Sequence, residues 1–321
     1  MAMGANRKPA LIGGTRGAAS SRRHALALML GAGRWLPRAL AAADAGAPIR
    51  LAISESMVVD VNLNDARAAM AIWLKRMMVD LNLVIEFNPR VFDTTEEILR
   101  RARSGQLDAV ALNVVEYRQI ADVLDPSEII AESGAAGMEQ YLLLAKRNSG
   151  IQHLGDLRGR RLRTLKNPKM CVADAWLSTI LDEGHFSPSG QFFGSATADT
   201  KVSQVVLPVF FGQADACLTS KRGFDTMCEL NPQVAKDLTE IASSPVMVVT
   251  FYIFHKNYHG ANRDRFAKVY SGLRSSAAGR QLATLFQFDE LTVQNASCLA
   301  SALRILDAAE RVRNRQGAGG R

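Results

Sequence analysis

What this chain of 321 residues lacks narrows the field first. No run of eighteen uncharged apolar residues occurs, which excludes an ordinary membrane-spanning helix. Aromatics are only 7% of the residues, yet 48% are hydrophobic and 22% charged, so a disordered chain is excluded and one large or two medium globular domains are expected. The four cysteines, Cys171, Cys217, Cys228 and Cys298, form no set with zinc-ligand spacing. His255 and His259 are four apart, but Asn257 and Gly260 interrupt the segment, which argues against a helical two-histidine metal face. A Gly-x-Ser-x-Gly elbow, a Walker loop and a dinucleotide glycine fingerprint are all missing, and neither His153 nor His185 has the neighbours of a triad. No enzyme, metal or cofactor is therefore expected.

Positive charge is also scarcer than the formal +8 suggests. Residues 1–45 hold Arg7, Lys8, Arg16, Arg22, Arg23, Arg34 and Arg38 against Asp44, a net +6, which leaves +2 for the other 276 residues. A body so nearly neutral has no footprint for a polyanion, and nucleic acid is not an expected partner. The basic segment reads instead as a leader. Ser21-Arg22-Arg23-His24-Ala25-Leu26, the apolar run 25–33 and small residues at 39–47 resemble a twin-arginine export signal, with cleavage expected near Ala41, Ala43 or Ala45 and the periplasm as destination. In an oxidising compartment the four cysteines allow three pairings; Cys217 with Cys228 closes a short loop and is preferred, with buried free thiols as the alternative.

Beyond the leader, strand and helix patterns alternate. Residues 49–53 read as a strand, 64–80 as a helix with Ala68, Ile72, Met78 and Leu81 at helical spacing, and 83–87 as a strand. Asp93-Thr94-Thr95-Glu96 caps a helix over 95–104, and Leu107–Leu112 is an apolar strand of the kind buried on both faces of a parallel sheet. Further strands are expected at 141–146, 160–165, 214–218 and 246–254, helices at 172–182 and 200–211, and after Asn262 helices at 263–273, 277–286 and 296–313. The order argues for an α/β fold built of right-handed β-α-β units.

Three segments carry a resemblance. Gly105-Gln106-Leu107-Asp108-Ala109-Val110, ending in Tyr117, is followed by Leu154-Gly155-Asp156-Leu157-Arg158-Gly159-Arg160-Arg161 and by the stretch 205–216, which closes on Gly212-Gln213-Ala214-Asp215-Ala216. Together they resemble the phosphate/phosphonate-type periplasmic solute-binding proteins over residues 49 to about 305. The resemblance implies a type II periplasmic binding protein: two α/β lobes, 46–140 with 252–313 and 141–251, a disordered tail at 314–321, a ligand cleft between the lobes, and crossovers at 141–146 and 246–254. It also implies a monomer that delivers a small-molecule ligand to an inner-membrane transporter or sensor.

Ligands in open α/β sheets bind beyond the carboxyl ends of the strands. That rule selects Ser54, Glu55, Asn113, Glu116, Tyr117, Asn167, Met170, Cys171, Ser195, Thr197 and Thr219 as candidate ligand-binding residues. Glu116 either orients a ligand or caps the next helix, and Lys221-Arg222 either neutralises an anion or lies solvated. The family's hydroxyl run at the first helix of the second lobe is replaced by Asn167-Pro168-Lys169-Met170-Cys171, and its Gly-Ser-His loop by Gly194-Ser195-Ala196-Thr197. With Met170, Trp176, Phe192, Phe193, Phe210 and Phe211 nearby, the ligand is either an oxyanion or something apolar or amphipathic, lipid- or sterol-like. An exported cofactor- or metal-dependent enzyme and an arsenite-binding sensor component using Cys171 are the alternatives.

Overall fold

The computed structural model describes residues 47–321 apart from 59–61, 82, 89, 134–137, 261, 286–287 and 319–321. The expected export signal, with its cleavage at Ala41–Ala45, lies outside the described residues. Strand β1 (Ile49–Ile53) leads to α1 (Leu63–Leu81), β2 (Ile85–Phe87), α2 (Thr95–Arg103), β3 (Ala109–Asn113), α3 (Val114–Ile120) and β4 (Leu124–Glu132). Thr94 caps α2 by accepting a hydrogen bond from the Glu97 N–H, an interaction generally worth about 1 kcal/mol. On α1 the buried face is Ala66, Met70, Trp73, Leu74 and Met77, while Ile72 is 66% exposed, so the stripe expected through Ala68 and Ile72 points to solvent.

The chain then builds a second sheet. Its elements are β5 (Tyr141–Lys146), β6 (Arg161–Leu165), α4 (Ala173–Glu183), α5 (Ser189–Phe192), β7 (Ser195–Asp199), α6 (Val202–Phe210), β8 (Ala216–Ser220), α7 (Lys221–Leu230), α8 (Pro232–Asp237) and β9 (Leu238–Ser243). The chain returns through β10 (Thr250–His255), α9 (Asn262–Ser271), α10 (Ala277–Leu285), β11 (Leu291–Gln294) and α11 (Ala300–Ala318). The first sheet has the order β11-β4-β10-β3-β1-β2 and the second β7-β6-β8-β5-β9. Each has three parallel strands, β2-β1-β3 and β7-β6-β8, extended by antiparallel ones.

Two expectations are corrected here. Residues 141–146 and 250–255 are strands inside the sheets, and the described parts of the passages between sheets are 133, 138–140 and 244–249. Those passages meet where Glu139 and Met247 exchange backbone hydrogen bonds of 2.8 and 2.9 Å. The expected tail is helical through Ala318, because Ala302, Ile305, Ala309 and Val312 keep a buried stripe on α11, which packs against α4 and α3.

The same clamp appears in both sheets. Asp108, just before β3, accepts from the backbone N–H and guanidinium of Arg50 on β1 at 2.6–2.9 Å. Asp215, just before β8, accepts from the backbone N–H and guanidinium of Arg161 on β6 at 2.8–3.1 Å. Each aspartate ends a Gly-Gln-x-Asp turn whose glycine, Gly105 or Gly212, has φ of 68° or 73°, a conformation that favours glycine. Burial alone would raise the Asp108 carboxyl, but the Arg50 bonds overcome it, and Arg161 likewise holds Asp215 below the usual carboxylate range. The two motifs thus lock neighbouring parallel strands in register and give the halves a common frame: Glu116 and Gly223 each follow their aspartate by eight residues.

Candidate functional site

In the first half, three strand ends converge on one carboxylate. Oε1 of Glu116 accepts from the Ser54 and Thr95 hydroxyls at 2.7 and 2.6 Å. Oε2 accepts from the Ser56 hydroxyl at 2.8 Å and from the Asn113 N–H at 2.9 Å. The Asn113 side chain accepts in turn from the Val115 and Glu116 N–H groups, completing a capping box on α3. Glu116 is 3% exposed. The short turn Glu55–Met57 packs against the turn Pro168–Met170 of the second half, so this cluster lies at the seam between the sheets.

In the second half the equivalent position is Gly223, which borders an open cavity of about 480 Å³. Asn167, Lys169, Ser220 and Arg222 line it from the second half, Glu139 from the passage between sheets, and Arg274, Phe288 and Asp289 from the first half. Lys169 Nζ lies 3.2 Å from both Glu132 Oε1 and Glu139 Oε1, and Arg222 Nη2 lies 3.5 Å from Glu132 Oε2 and 3.9 Å from Asp289. Glu132 Oε2 and Glu139 Oε1 are in ion-pair range but have no hydrogen-bond donor among the described residues. Burial pushes the Glu132 carboxyl up to about 7, against the opposing pull of Lys169 and Arg222. Glu132, Lys169 and Phe288 also border a second, apolar cavity of about 40 Å³ walled by Met57, Met70, Trp73, Tyr252 and Tyr270.

The eleven residues expected from sequence separate into groups. Ser54, Asn113 and Glu116 meet in the carboxylate cluster, and Asn167 lines the larger cavity while capping its own turn through the Met170 N–H. Glu55 lies on the surface 3.7 Å from Arg67. Tyr117 is buried edge-to-face against Phe251, 5.5 Å between centroids, and Met170 is core. Thr219 is buried within β8. Ser195 and Thr197 are exposed on β7, Ser195 opposite Arg161 at the start of β6 and thus at the far end from the carboxyl edge. They fall there because residues 195–199 are themselves the strand, after the short helix α5.

Cys171 is partly buried, and burial with the added repulsion of Glu116 pushes its thiol up to about 12. It is the lone cysteine of its turn, and no second thiol is placed beside it among the described residues to share a soft ion. All four cysteines are free, correcting the Cys217–Cys228 pairing: Cys217 is buried in β8 and Cys228 sits on α7. Among the described residues no group of three or more His, Cys, Asp or Glu is placed to hold a metal ion. Sequence reasoning missed Glu132, because β4 has a polar start around Pro126 and shows no alternation there, and Glu139, which lies beyond that strand; Lys169 lay in an expected loop without being singled out, whereas Arg222 was named with Lys221 as either neutralising an anion or lying solvated.

No curated protein matches the chain significantly in sequence. Among solved structures, XAC2383 from Xanthomonas citri, bound to chloride ion, aligns over 83% of this chain and 99% of its own at 14% identity and a TM-score of 0.59. PhnD1 from Prochlorococcus marinus, in complex with methylphosphonate, covers 83% and 98% at 14% identity with a TM-score of 0.55. The periplasmic aliphatic sulphonate binding protein SsuA from Escherichia coli covers 83% and 87% at 13% identity with a TM-score of 0.50. At these identities the likeness concerns the fold, which is that of a type II periplasmic binding protein. A family model described as "ABC transporter, phosphonate, periplasmic substrate-binding protein" matches residues 60–297, and the chain belongs to that family.

Proposed function

We propose that this chain captures a small zwitterionic acid, of phosphonate or sulfonate kind, in the cavity between its sheets and hands it to an ABC transporter. Substrate-binding proteins of this family bind small molecules in the periplasm and deliver them to membrane components; they are transport proteins, not enzymes. The acid group sits against Arg222, Ser220 and Asn167 at the start of α7, where guanidinium and helix dipole both favour negative charge. The ammonium faces Glu132 and Glu139. The observation that carries this reading is that both carboxylates are buried and each has an oxygen that, among the described residues, is in ion-pair range of a cation but accepts no hydrogen bond, which a ligand N–H would satisfy.

The lining also balances Lys169, Arg222 and Arg274 against Glu132, Glu139 and Asp289, which suits a ligand carrying both signs better than a bare dianion. The apolar cavity of about 40 Å³ has room for a short alkyl group, so the amphipathic reading narrows to that and a sterol is not favoured. In this proposal residues 1–45 are the export signal, the protein acts as a monomer, and the lobes close about the place where Glu139 and Met247 pair. Isothermal titration with an aminoalkylphosphonate, the alkylphosphonate of equal length and inorganic phosphate tests it. The amine-bearing ligand is expected to bind about tenfold tighter or more, roughly 1.4 kcal/mol. Equal or tighter binding of phosphate, or no binding of any, overturns it.

A further inference from the structure

We propose that Glu116 is a built-in anion that fills a hydroxyl cradle in the first half and so keeps external oxyanions out of it, making Glu116 a specificity-determining residue. The donors around it are those of an oxyanion site: three hydroxyls and one backbone N–H, two to each carboxylate oxygen, at 2.6–2.9 Å. Capping α3 requires only the Asn113 N–H. The hydroxyls of Ser54, Ser56 and Thr95 are surplus to that role, and they arrive from the ends of two other strand connections.

The second half supplies the contrast. Eight residues after its own clamp aspartate stands Gly223, with no side chain to offer, and there the strand end opens on the large cavity. One fold position therefore holds a carboxylate in one half and no side chain in the other, where even a Cβ would meet Val202 at 2.7 Å and the Ser220 hydroxyl at 2.9 Å. A phosphate-like anion approaching the first cradle would find every donor occupied and a like charge in place. Acid groups are thereby directed to the second half, an assignment that rests on the proposed ligand cavity; the filled cradle itself does not.

The test is anion rescue in Glu116→Ala. Acetate, which matches the lost carboxylate, and inorganic phosphate are titrated in thermal-shift measurements on wild type, Glu116→Ala and Glu116→Gln. Acetate is expected to raise the melting temperature of Glu116→Ala by several degrees, with no shift in wild type or Glu116→Gln. Phosphate binding by calorimetry is expected to be gained at least tenfold in Glu116→Ala. Should Glu116→Ala not fold unaided, refolding with acetate is expected to recover its helical circular dichroism. A variant that answers anions as wild type does, or that acetate fails to refold, overturns the proposal. So does wild-type phosphate binding that Ser54→Ala abolishes. Ligand titration of Arg222→Ala reads the cavity separately, so either idea can fail alone.

Discussion

The two halves share a clamp, a strand and a helix start, yet they end differently. Both carboxylate oxygens of Glu116 accept two hydrogen bonds each, and the region is closed. Around Gly223 the charges of Lys169, Arg222, Glu132 and Glu139 border open space, and two carboxylate oxygens lack donors among the described residues. Polar groups that satisfy one another build structure, whereas buried polar groups left short of partners point toward a ligand.

The contrast can be broken from either side. The largest effect is expected from Glu116→Gln: its amide presents N–H groups to donors, and urea unfolding should show a loss of about 2–4 kcal/mol. Gly223→Glu transplants the first half's carboxylate. A Cβ there meets Val202 at 2.7 Å and the Ser220 hydroxyl at 2.9 Å, and the added charge faces the proposed acid site. Calorimetry should show ligand affinity falling about a hundredfold, roughly 2.7 kcal/mol, with Gly223→Ala falling less.

Arg222→Ala removes one cation, and calorimetry is expected to show binding weakened about tenfold. Glu132→Gln sharpens the comparison through pH. The Glu132 carboxyl titrates at about 7 folded against 4.5 ordinarily, so the folded state binds more protons between those values. Its contribution to stability is therefore full below pH 4.5 and is lost as pH rises toward and through 7. Melting curves of Glu132→Gln should lack that downward slope. The smallest effect is expected from a reductant: with four free thiols, dithiothreitol should leave the melting temperature unchanged.

Much of the α/β order was legible because it is local. The strand at 49–53, the Thr94 cap and the buried run before Asn113 follow from residue type and spacing. The face of α1 was not, since Ala66, Met70, Trp73, Leu74 and Met77 compete with Ala68 and Ile72 and only the packed sheet chooses between them. Strands β4, β9 and β11 escaped notice because their exposed positions and polar residues obscure the alternation. Of the residues that border the candidate site, Glu116 and Asn167 were selected by their place after strands. Glu132 and Glu139 were not, because their meaning depends on Lys169, a partner far along the chain that only folding brings within ion-pair range.

By itself the sequence determined the pair of Gly-Gln-x-Asp turns, the alternation of strand and helix, and a nearly neutral body behind a basic stretch of 45 residues, since each depends on residues close along the chain. Only the tertiary structure decided that Glu116 turns inward to three hydroxyls while its counterpart Gly223 borders a cavity. The reason is physical: a carboxylate's role is set by which donors the fold brings within about 3 Å of it, and those donors come from separate strand ends.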